Sequence, residues 1–481
     1  MDSDHGLVRG LSLTSTTSLV MGAMIGTGVF FKAAVMVQQV GSPLLVLAAW
    51  AVAGVLSLAG ALIYAELGAM LPHAGGEYVF LRTAYGPGVA FLDGWMRFVV
   101  VAAGNAALGV GCISFLADLV PMNTVWVERN FTALGFTTHW QLGERELAAV
   151  ALVLFFGFLN CAGVVFGGRV QILLTAAKVL GIALIVVGAF VLSKNGSTAH
   201  FQKPADVPAW SGFSAFGAAV ISALWACDGW AFMPMVAGEV KNPGRNVPRA
   251  LMIGVLAVLS LYTLVNLAYF YAMPLNEVAS ANSTAHRDAL PVAAKAAQSF
   301  LGQRGAAIAS ILFMISAIGA LNGVTLSTAR VPFAMARDGL FFPRFGQLTE
   351  RSRVPAWALI VFSIWSAVLA LSGTFDQLSN VTVFSMWLFY ALGGASVFVL
   401  RHKMPDAQRP YRTLGYPIVP LLFILAAVWL VVNTLLTSPL EAIAGLGLIA
   451  LGWPVYLAYS KRSATSGSTP AARRNSQIVS Q

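Results

Sequence analysis

The sequence predicts an all-α integral membrane protein with twelve transmembrane helices. The chain has 481 residues, of which 58% are hydrophobic and only 10% are charged, and its mean hydropathy is +0.77. Soluble domains carry about 25% charged residues, so this composition excludes that class. The apolar runs are long and uninterrupted, which predicts spanning helices rather than the alternating strands of a membrane barrel.

Twelve apolar segments of roughly twenty residues each are the predicted spans. They lie near 13–38, 43–70, 89–119, 146–162, 169–192, 211–238, 249–273, 305–331, 355–372, 381–400, 416–436 and 440–459. A further short helix is expected at 291–299, between the seventh and eighth spans. The tail, 460–481, is polar and has no apolar periodicity, so we expect it to be disordered.

Basic residues are distributed unevenly between the two sides of the predicted bundle. The formal net charge is +10, and most of the 29 Lys and Arg residues flank the spans on the side of the N-terminus. The loops on the other side contain only Arg129, Arg145, Lys194, Lys203, Arg287, Lys295 and Arg304. The positive-inside rule then places both termini in the cytosol of a multi-pass protein of the cell (inner, cytoplasmic) membrane. The basic excess indicates topology and contact with anionic membrane lipids, not nucleic-acid binding.

The sequence has no pattern typical of an enzyme or a metalloprotein. Cys112, Cys161 and Cys227 lie in or beside apolar runs, and their spacing fits neither a disulfide framework nor a zinc site. No nucleotide motif, metal cluster or nucleophile triad is visible. We therefore expect no catalytic residues, no metal and no cofactor.

Two spans are interrupted by glycine and polar residues at matching positions. The first span contains MIGTG at 24–28, although glycine in a helix interior costs about 1 kcal/mol. The sixth contains ALWACDGWAF at 223–232, with the carboxylate of Asp228 at its middle. One interrupted span in each half indicates a transporter built from inverted repeats. We therefore expect one five-helix repeat at 13–192 and a second at 211–400. An N-terminal segment, 1–12, precedes them, and two additional helices follow at 416–459.

The chemistry of a broken helix suggests what would bind there. Freed backbone N–H and C=O groups are tolerated inside a membrane only where they line a cavity and meet a ligand or water. N–H groups at the start of the second half-helix suit a carboxylate, and C=O groups at the end of the first suit an ammonium group. An amino acid carries both groups on one carbon. The alternative is that Gly22, Gly26 and Thr27 serve only close helix packing.

Several longer motifs make a family resemblance visible. MIGTGVF, YAELGAMLPHAGGEYVFLRTAYGP, LWACDGW and GEVKNPGRNVPRAL occur in that order, together with GRVQILLTAAKVLGIALIVV and SAIGALNGVTLSTAR. The set resembles the amino acid–polyamine–organocation superfamily and, within it, the L-type amino-acid transporter branch with its bacterial members. The resemblance covers roughly 8–460. It implies a LeuT-like fold of five plus five inverted-repeat helices and two extra helices, with helices 1 and 6 unwound at mid-span.

The resemblance also implies a set of substrate-binding residues. The substrate carboxylate would be held by amides around Gly26, Thr27 and Gly28. The amino group would meet carbonyl groups around Ile25 and around 225–228. Trp225 would close the outer side, although a packing role is the alternative. The full set is Ile25, Gly26, Thr27, Gly28, Trp225, Ala226, Cys227, Asp228, Gly229 and Asn322. For Asn322, hydrogen bonding between helices is an equally good interpretation.

Two charged residues within the spans bear on coupling and specificity. Lys178 lies deep in the fifth span, where a lysine usually marks function. In similar sodium-independent transporters a lysine here takes the place of the sodium ion, so we expect no sodium coupling, while a proton-carrying role stays open. Asp228 resembles the branch that accepts dibasic as well as neutral amino acids. It could pair with a cationic side chain of the substrate, with Lys178 or with a backbone group.

The predicted function is sodium-independent transport of small L-amino acids, neutral and potentially cationic, by alternating access and as an exchanger. The alternatives are a proton-coupled symporter, a channel, or a non-transporting amino-acid receptor with the same fold.

Animal members of the branch bind a heavy subunit through a cysteine in the loop after helix 3. The corresponding loop, 120–145, contains no cysteine, so no disulfide-linked heavy subunit is expected. Charged residues near the inner ends of spans are predicted gate ion pairs or topology charges: Glu66, Glu77, Asp93, Arg97, Arg330, Arg337 and Asp338.

Overall fold

The protein folds as a bundle of helices with one hairpin in the part that the structure describes. This computed structural model describes residues 6–133, 136–202, 212–281, 283, 286, 289–372 and 375–465. The α-helices are α1 (Leu13–Met24), α2 (Gly28–Val40), α3 (Pro43–Met70), α4 (Glu77–Tyr85), α5 (Pro87–Val99), α6 (Val101–Leu119), α7 (Glu144–Asn160), α8 (Val164–Leu192), α9 (Phe213–Cys227), α10 (Pro243–Ala272), α11 (Leu275–Ala279), α12 (Val292–Leu301), α13 (Gln303–Thr328), α14 (Arg330–Arg337), α15 (Ala356–Ala370), α16 (Phe375–Lys403), α17 (Ile418–Thr437), α18 (Pro439–Ala450) and α19 (Gly452–Thr465). Short 3₁₀ helices occur at Thr198–Phe201, Trp230–Glu239 and Pro343–Gly346.

The predicted spans coincide with these helices. Among the described residues, ten segments are long and apolar enough to cross a membrane. The other two predicted spans are the shorter helices α7 and α15. The all-α, twelve-helix membrane fold is thus confirmed. Helix α19 continues to Thr465, so the first part of the predicted disordered tail is helical, and the rest of the tail lies outside the described residues.

Helices 1 and 6 are unwound at mid-span, as predicted. Helix α1 ends at Met24 and α2 begins at Gly28. Helix α9 ends at Cys227, and the rest of the sixth span is the 3₁₀ helix Trp230–Glu239. This 3₁₀ form was not predicted. Pro234 lies inside it and has no N–H to donate, which removes one α-helical hydrogen bond.

The connection after the third span contains a β-hairpin that the sequence analysis did not predict. Strand β1 (Val125–Ala133) pairs antiparallel with β2 (Phe136–Gly143). The indole N–H of Trp140 donates to the carbonyl of Leu371 at the end of α15, at 2.5 Å. This bond attaches the hairpin to the bundle. The short helix expected at 291–299 is present as α12.

The N-terminal segment packs against the end of the bundle opposite to the hairpin. Three spans separate the two along the chain. The N–H of Leu11 donates to the carbonyl of Glu239 at 3.0 Å, and the N–H of Lys241 donates to the carbonyl of Leu11 at 2.9 Å. Leu7 and Leu11 are buried. These contacts join the chain before α1 to the end of the sixth span. We call this end of the bundle the N-terminal face and the other end the hairpin face.

Candidate functional site

The two helix breaks are in direct contact inside the bundle. Gly229 has a φ of +115°, a backbone conformation that residues with a Cβ rarely adopt. A Cβ there would also lie 2.7 Å from the backbone carbon of Ala23 and from the backbone nitrogen of Met24. Glycine is therefore required for the backbone conformation of the second break and for its contact with the first.

Gly28 makes a second contact between the breaks. A Cβ at this position would lie 2.6 Å from the Cβ of Ala226, near the end of α9. The start of α2 therefore packs directly against the end of α9. Gly22 has a packing role, since a Cβ there would overlap the side-chain amide of Gln171. Packing, one of the two predicted uses of glycine, therefore accounts for Gly22.

A cavity lies between the two breaks and the facing helices α6, α13 and α16. The atom-free space there is about 500 Å³, a figure that includes the solvent at the mouth of the cavity. Most of its lining is apolar, with a few polar groups. The lining residues are Ala23, Met24, Gly26, Thr27, Gly28, Val101, Gly104, Leu108, Trp225, Asp228, Gly229, Phe232, Val324, Thr382, Val383 and Met386.

The first break presents backbone N–H groups to this cavity. In the described residues, the N–H groups of Thr27, Gly28 and Val29 donate no hydrogen bond, and the side chain of Thr27 does not cap the helix. The start of a helix carries a partial positive charge from the aligned peptide dipoles. Free N–H groups and this dipole together favour an anion such as a carboxylate at the start of α2.

Lys178 stabilises the carbonyl groups at the other end of the same break. Its Nζ donates to the carbonyl of Gly22 at 2.7 Å and to that of Ile25 at 2.6 Å. The hydroxyl of Ser316 lies 3.0 Å from the carbonyl oxygen of Ile25. Gly319 leaves room for the lysine, since a Cβ there would lie 2.5 Å from its Cε. A buried lysine Nζ thus lies at the carbonyl end of α1.

Tyr262 connects the two breaks through one hydroxyl group. The hydroxyl lies 2.8 Å from the carbonyl oxygen of Met24 and 3.1 Å from that of Ala226, so it can donate to either. With Lys178 and Ser316, it supplies donors to carbonyl groups that unwinding would otherwise leave unpaired. The break is therefore stabilised by protein side chains on its carbonyl side and left open on its N–H side.

Asp228 is held by the protein through only one of its two oxygens. Its Oδ1 accepts from the N–H of Gly229 at 2.6 Å and from the hydroxyl of Tyr390 at 2.9 Å. Its Oδ2 is buried and has no hydrogen-bond partner among the described residues. Of the alternatives for Asp228, bonding to a backbone group is the one seen in the described residues, whereas the hydrogen bonds of Lys178 there go to carbonyl groups of the first break.

Trp225 lies at the edge of the cavity and contacts both breaks. Its side chain is half-buried and lines the cavity. Its indole N–H points to the hydroxyl oxygen of Thr27 at 3.4 Å, a long hydrogen bond. The Cδ1 of Trp225 would also lie 3.0 Å from a Cβ at position 28. This position is compatible with the predicted closing role.

The structure brings six of the ten predicted substrate-binding residues to the cavity. These are Gly26, Thr27, Gly28, Trp225, Asp228 and Gly229. The remaining four, Ile25, Ala226, Cys227 and Asn322, are buried and are not part of the lining.

Asn322 belongs to a chain of amide side chains between helices. Its Nδ2 donates to Oε1 of Gln171 at 2.7 Å, and its Oδ1 accepts from Nδ2 of Asn160 at 3.0 Å. The interhelical alternative therefore describes Asn322 in this structure.

Sequence reasoning missed three residues that shape the site. Tyr262, Ser316 and Tyr390 all hydrogen-bond to one of the two breaks or to Asp228. Each is a polar side chain within an apolar span, which is a usable signal for function. That signal alone does not separate them from the many serines and tyrosines that only pack.

A buried ion-pair cluster lies toward the N-terminal face. Arg97 pairs with Glu77, and its Nε lies 3.3 Å from Oδ1 of Asp93. The hydroxyl of Tyr64 donates to Glu77. All four side chains are buried. The predicted proximity of Asp93 and Arg97 on one helix face is confirmed.

Other predicted charges form separate ion pairs on the same face. Arg330 pairs with Glu239 through two bonds, of 2.8 and 3.0 Å. Glu66 accepts two bonds from Arg401, of 2.9 and 2.7 Å. Asp338 pairs with Arg82 at 2.7 Å. Whether any of these pairs opens during a functional cycle stays a prediction.

The described residues contain no group of three or more His, Cys, Asp or Glu side chains that could hold a metal ion. Cys112, Cys161 and Cys227 are free thiols.

Comparison with known proteins identifies the family. Residues 11–455 match the sequence model of a protein family that is described as amino acid permease. The chain belongs to the amino acid permease family. The expected membership in the amino acid–polyamine–organocation superfamily is confirmed, and the fold is that of a multi-pass membrane transporter.

Individual relatives of this permease are similar over nearly their full lengths. The serine/threonine exchanger SteT of Bacillus subtilis (strain 168) is 32% identical over 467 residues, which is 96% of this chain and 99% of the relative. The human b(0,+)-type amino acid transporter 1 is 31% identical over 436 residues, 90% of this chain and 84% of the relative. The human cystine/glutamate transporter is 28% identical over 450 residues, which is 94% of this chain and 85% of the relative. The permease is thus similar both to a bacterial exchanger and to L-type transporters.

Proposed function

We propose that the protein exchanges small L-amino acids across the membrane, independently of sodium and by alternating access. The observation that carries this proposal is the cavity between two broken helices. The N–H groups of Thr27 and Gly28, which line that cavity together with Asp228, are without acceptors in the described residues. The relatives support exchange as the mode, since one is named an exchanger and others are named amino-acid transporters.

We propose a single orientation for the substrate. Its carboxylate accepts from the N–H groups at the start of α2, where the backbone of Gly26, Thr27 and Gly28 lines the cavity. Its ammonium group lies toward the backbone at 228–229, which lines the cavity. The side chain of a neutral substrate then points to the apolar surface formed by α6 and α16, a lining that suits it. Its residues are Val101, Gly104, Leu108, Val383 and Met386.

Lys178 supports sodium independence. A sodium ion in such a fold is coordinated by carbonyl oxygens of an unwound helix. In this protein the ammonium of Lys178 donates to two such oxygens, those of Gly22 and Ile25. The Lys178 side chain therefore occupies two carbonyl oxygens of the kind that a bound cation would need.

We further propose the orientation and organisation expected from the sequence. The protein spans the cell membrane with both termini in the cytosol, so the N-terminal face is the inner face. The segments 13–192 and 211–400 are the two repeats, and 416–459 adds two helices. The chain works without a disulfide-linked subunit, because the loop 120–145 contains no cysteine.

Uptake by purified protein in liposomes tests the proposal. Vesicles are empty or preloaded with unlabelled serine, without sodium, and labelled serine, leucine and arginine are added separately. We expect uptake only into preloaded vesicles. If empty vesicles took up as much amino acid as preloaded ones, and only with an inward proton gradient, the mechanism would be proton-coupled symport instead of exchange. Saturable binding of amino acids without any uptake would contradict transport and favour a receptor.

A further inference from the structure

The hydroxyl of Tyr390 is the link between the cavity and the buried charges below it. It donates to Oδ1 of Asp228 at 2.9 Å. The tyrosine is fully buried in α16, one turn beyond Met386, which lines the cavity. The second donor to the same oxygen is the backbone N–H of Gly229. Tyr390 therefore makes the side-chain hydrogen bond that anchors the cavity carboxylate.

Tyr390 also contacts the ion-pair cluster on its other side. The guanidinium carbon of Arg97 lies 5.6 Å from the centroid of the Tyr390 ring, within the range of a cation–π contact. The ring of Tyr64, whose hydroxyl donates to Glu77, lies 6.1 Å from that of Tyr390. A continuous buried path thus runs from Asp228 through Tyr390 to Arg97 and Glu77.

Polar atoms along this path are left without partners. Oδ2 of Asp228, Nη1 of Arg97 and Oδ2 of Asp93 are buried and have no hydrogen bond among the described residues. A buried acceptor without a donor is costly, more so when it belongs to a charged group. Asp228 therefore has one oxygen fixed by the protein and one that lacks a donor. A cationic substrate group would supply that donor.

We propose that Tyr390 is a positioning residue for Asp228 that sets the preference for cationic over neutral amino acids. The proposal rests on the proposed transport function. By holding Oδ1, the Tyr390 hydroxyl orients the carboxylate and leaves Oδ2 as acceptor for a substrate cation. Arg97, on the far side of the ring, supplies positive charge that stabilises the carboxylate when no cationic substrate is bound. Neutral substrates carry only the α-ammonium group, which the proposed orientation pairs with backbone at 228–229, and have no side-chain cation for Oδ2, so they depend on Tyr390 much less.

Replacing the hydroxyl tests this role. Tyr390→Phe removes one hydrogen bond to a charged acceptor, a change that corresponds to roughly tenfold or more in affinity. We expect the KM for arginine exchange to rise about tenfold, with the KM for serine changed by less than about twofold. Tyr269→Phe is the matched control, because Tyr269 is a buried tyrosine whose hydroxyl has no partner among the described residues.

A double-variant comparison separates positioning from a general structural effect. Asp228→Asn should itself abolish the preference for arginine, and adding Tyr390→Phe to it should then change nothing further. If Tyr390→Phe is too unstable to purify, 4-fluorophenylalanine introduced at position 390 fills the space of the hydroxyl without donating a proton.

Distinct outcomes would overturn the inference. An equal rise in both KM values, or a further loss in the Asp228→Asn background, would make Tyr390 a structural residue only. A wild-type protein that exchanges serine but not arginine would also overturn it, while leaving amino-acid exchange intact. Absence of exchange for every amino acid would instead reject the proposed function, and with it this inference.

Discussion

Lys178 and Ile25 are joined by a hydrogen bond of 2.6 Å from the lysine ammonium to a backbone carbonyl, 153 residues apart in sequence. This bond connects the fifth span to the break in the first. It replaces a hydrogen bond that the unwound segment can no longer make within its own helix. The bond therefore helps to hold the break, and the free N–H groups that follow it, in place.

Replacing Lys178 should therefore disable the site. Lys178→Met retains the length and apolar stem but removes the donors to Gly22 and Ile25, at roughly 1–3 kcal/mol for an acceptor left unpaired. We expect exchange to fall at least about tenfold in the liposome assay. Lys295→Met is the control, since this lysine lies in α12 outside the spans and donates to Ser280. Wild-type exchange rates for Lys178→Met would contradict this role.

Gly229 should not tolerate a side chain. Gly229→Ala places a Cβ in a left-handed backbone conformation and 2.7 Å from backbone atoms of Ala23 and Met24, neither of which can move independently. Backbone strain alone costs about 1–3 kcal/mol. We expect a lower thermal unfolding midpoint in detergent and loss of exchange.

Gly447→Ala provides the comparison for Gly229→Ala. Position 447 lies within α18, and a Cβ there would meet no atom within 4 Å. Alanine is also favoured over glycine in a helix by about 1 kcal/mol. We expect Gly447→Ala to unfold at the same temperature as the wild type or higher. If Gly229→Ala and Gly447→Ala had the same thermal unfolding midpoint and the same exchange rate, the breaks would not need the glycine contact at position 229.

Gly26 should separate binding from folding. A Cβ there would lie 3.5 Å from Ala320 and Leu108, an ordinary packing distance, so Gly26→Ala is expected to fold normally. The added methyl group enters the cavity beside the N–H groups proposed to hold the carboxylate. We expect the KM to rise several-fold for serine and arginine alike, with an unchanged thermal midpoint. An unchanged KM for both would argue against carboxylate binding at the start of α2.

Local patterns in the sequence were sufficient for the spans and the two breaks. Hydropathy identifies a spanning segment within about twenty residues, and glycine or Asp228 in the middle of such a segment marks an interruption. The hairpin at 125–143 lies outside any apolar run and has few local signals. The 3₁₀ form of 230–239 depends on Pro234 together with packing against neighbouring helices. This packing cannot be inferred from the local sequence.

Partners distant in sequence explain why the site was predicted only in part. Lys178 was expected to be functional, but its acceptors belong to the first span. The amide of Asn322 suits a ligand as well as it suits Gln171 and Asn160, and only the packing of three helices selects between them. Glu239 was not predicted as the partner of Arg330, because 91 residues separate them.

The pair of Arg330 and Glu239 yields a stability prediction that distinguishes a fully buried ion pair from a partly exposed one. Both side chains are buried, and Arg330 also donates to the carbonyl of Leu326 at 2.5 Å. Arg330→Gln leaves Glu239 as an uncompensated buried charge, at a cost of about 3–5 kcal/mol. We expect a clearly lower thermal unfolding midpoint and reduced exchange. Arg82→Gln should lower the midpoint less, because the Arg82 side chain is partly exposed and Asp338 keeps the hydrogen bond from the hydroxyl of Tyr78 at 2.9 Å.

A double variant decides whether the loss in Arg330→Gln comes from the unpaired carboxylate. Glu239→Gln combined with Arg330→Gln removes both charges and leaves two neutral amides that can hydrogen-bond to each other. The double variant should then recover part of the stability that Arg330→Gln alone loses. If it is as unstable as the sum of both single variants, the pair does not act as a unit. The end of the sixth span would then be held to α14 by packing rather than by charge.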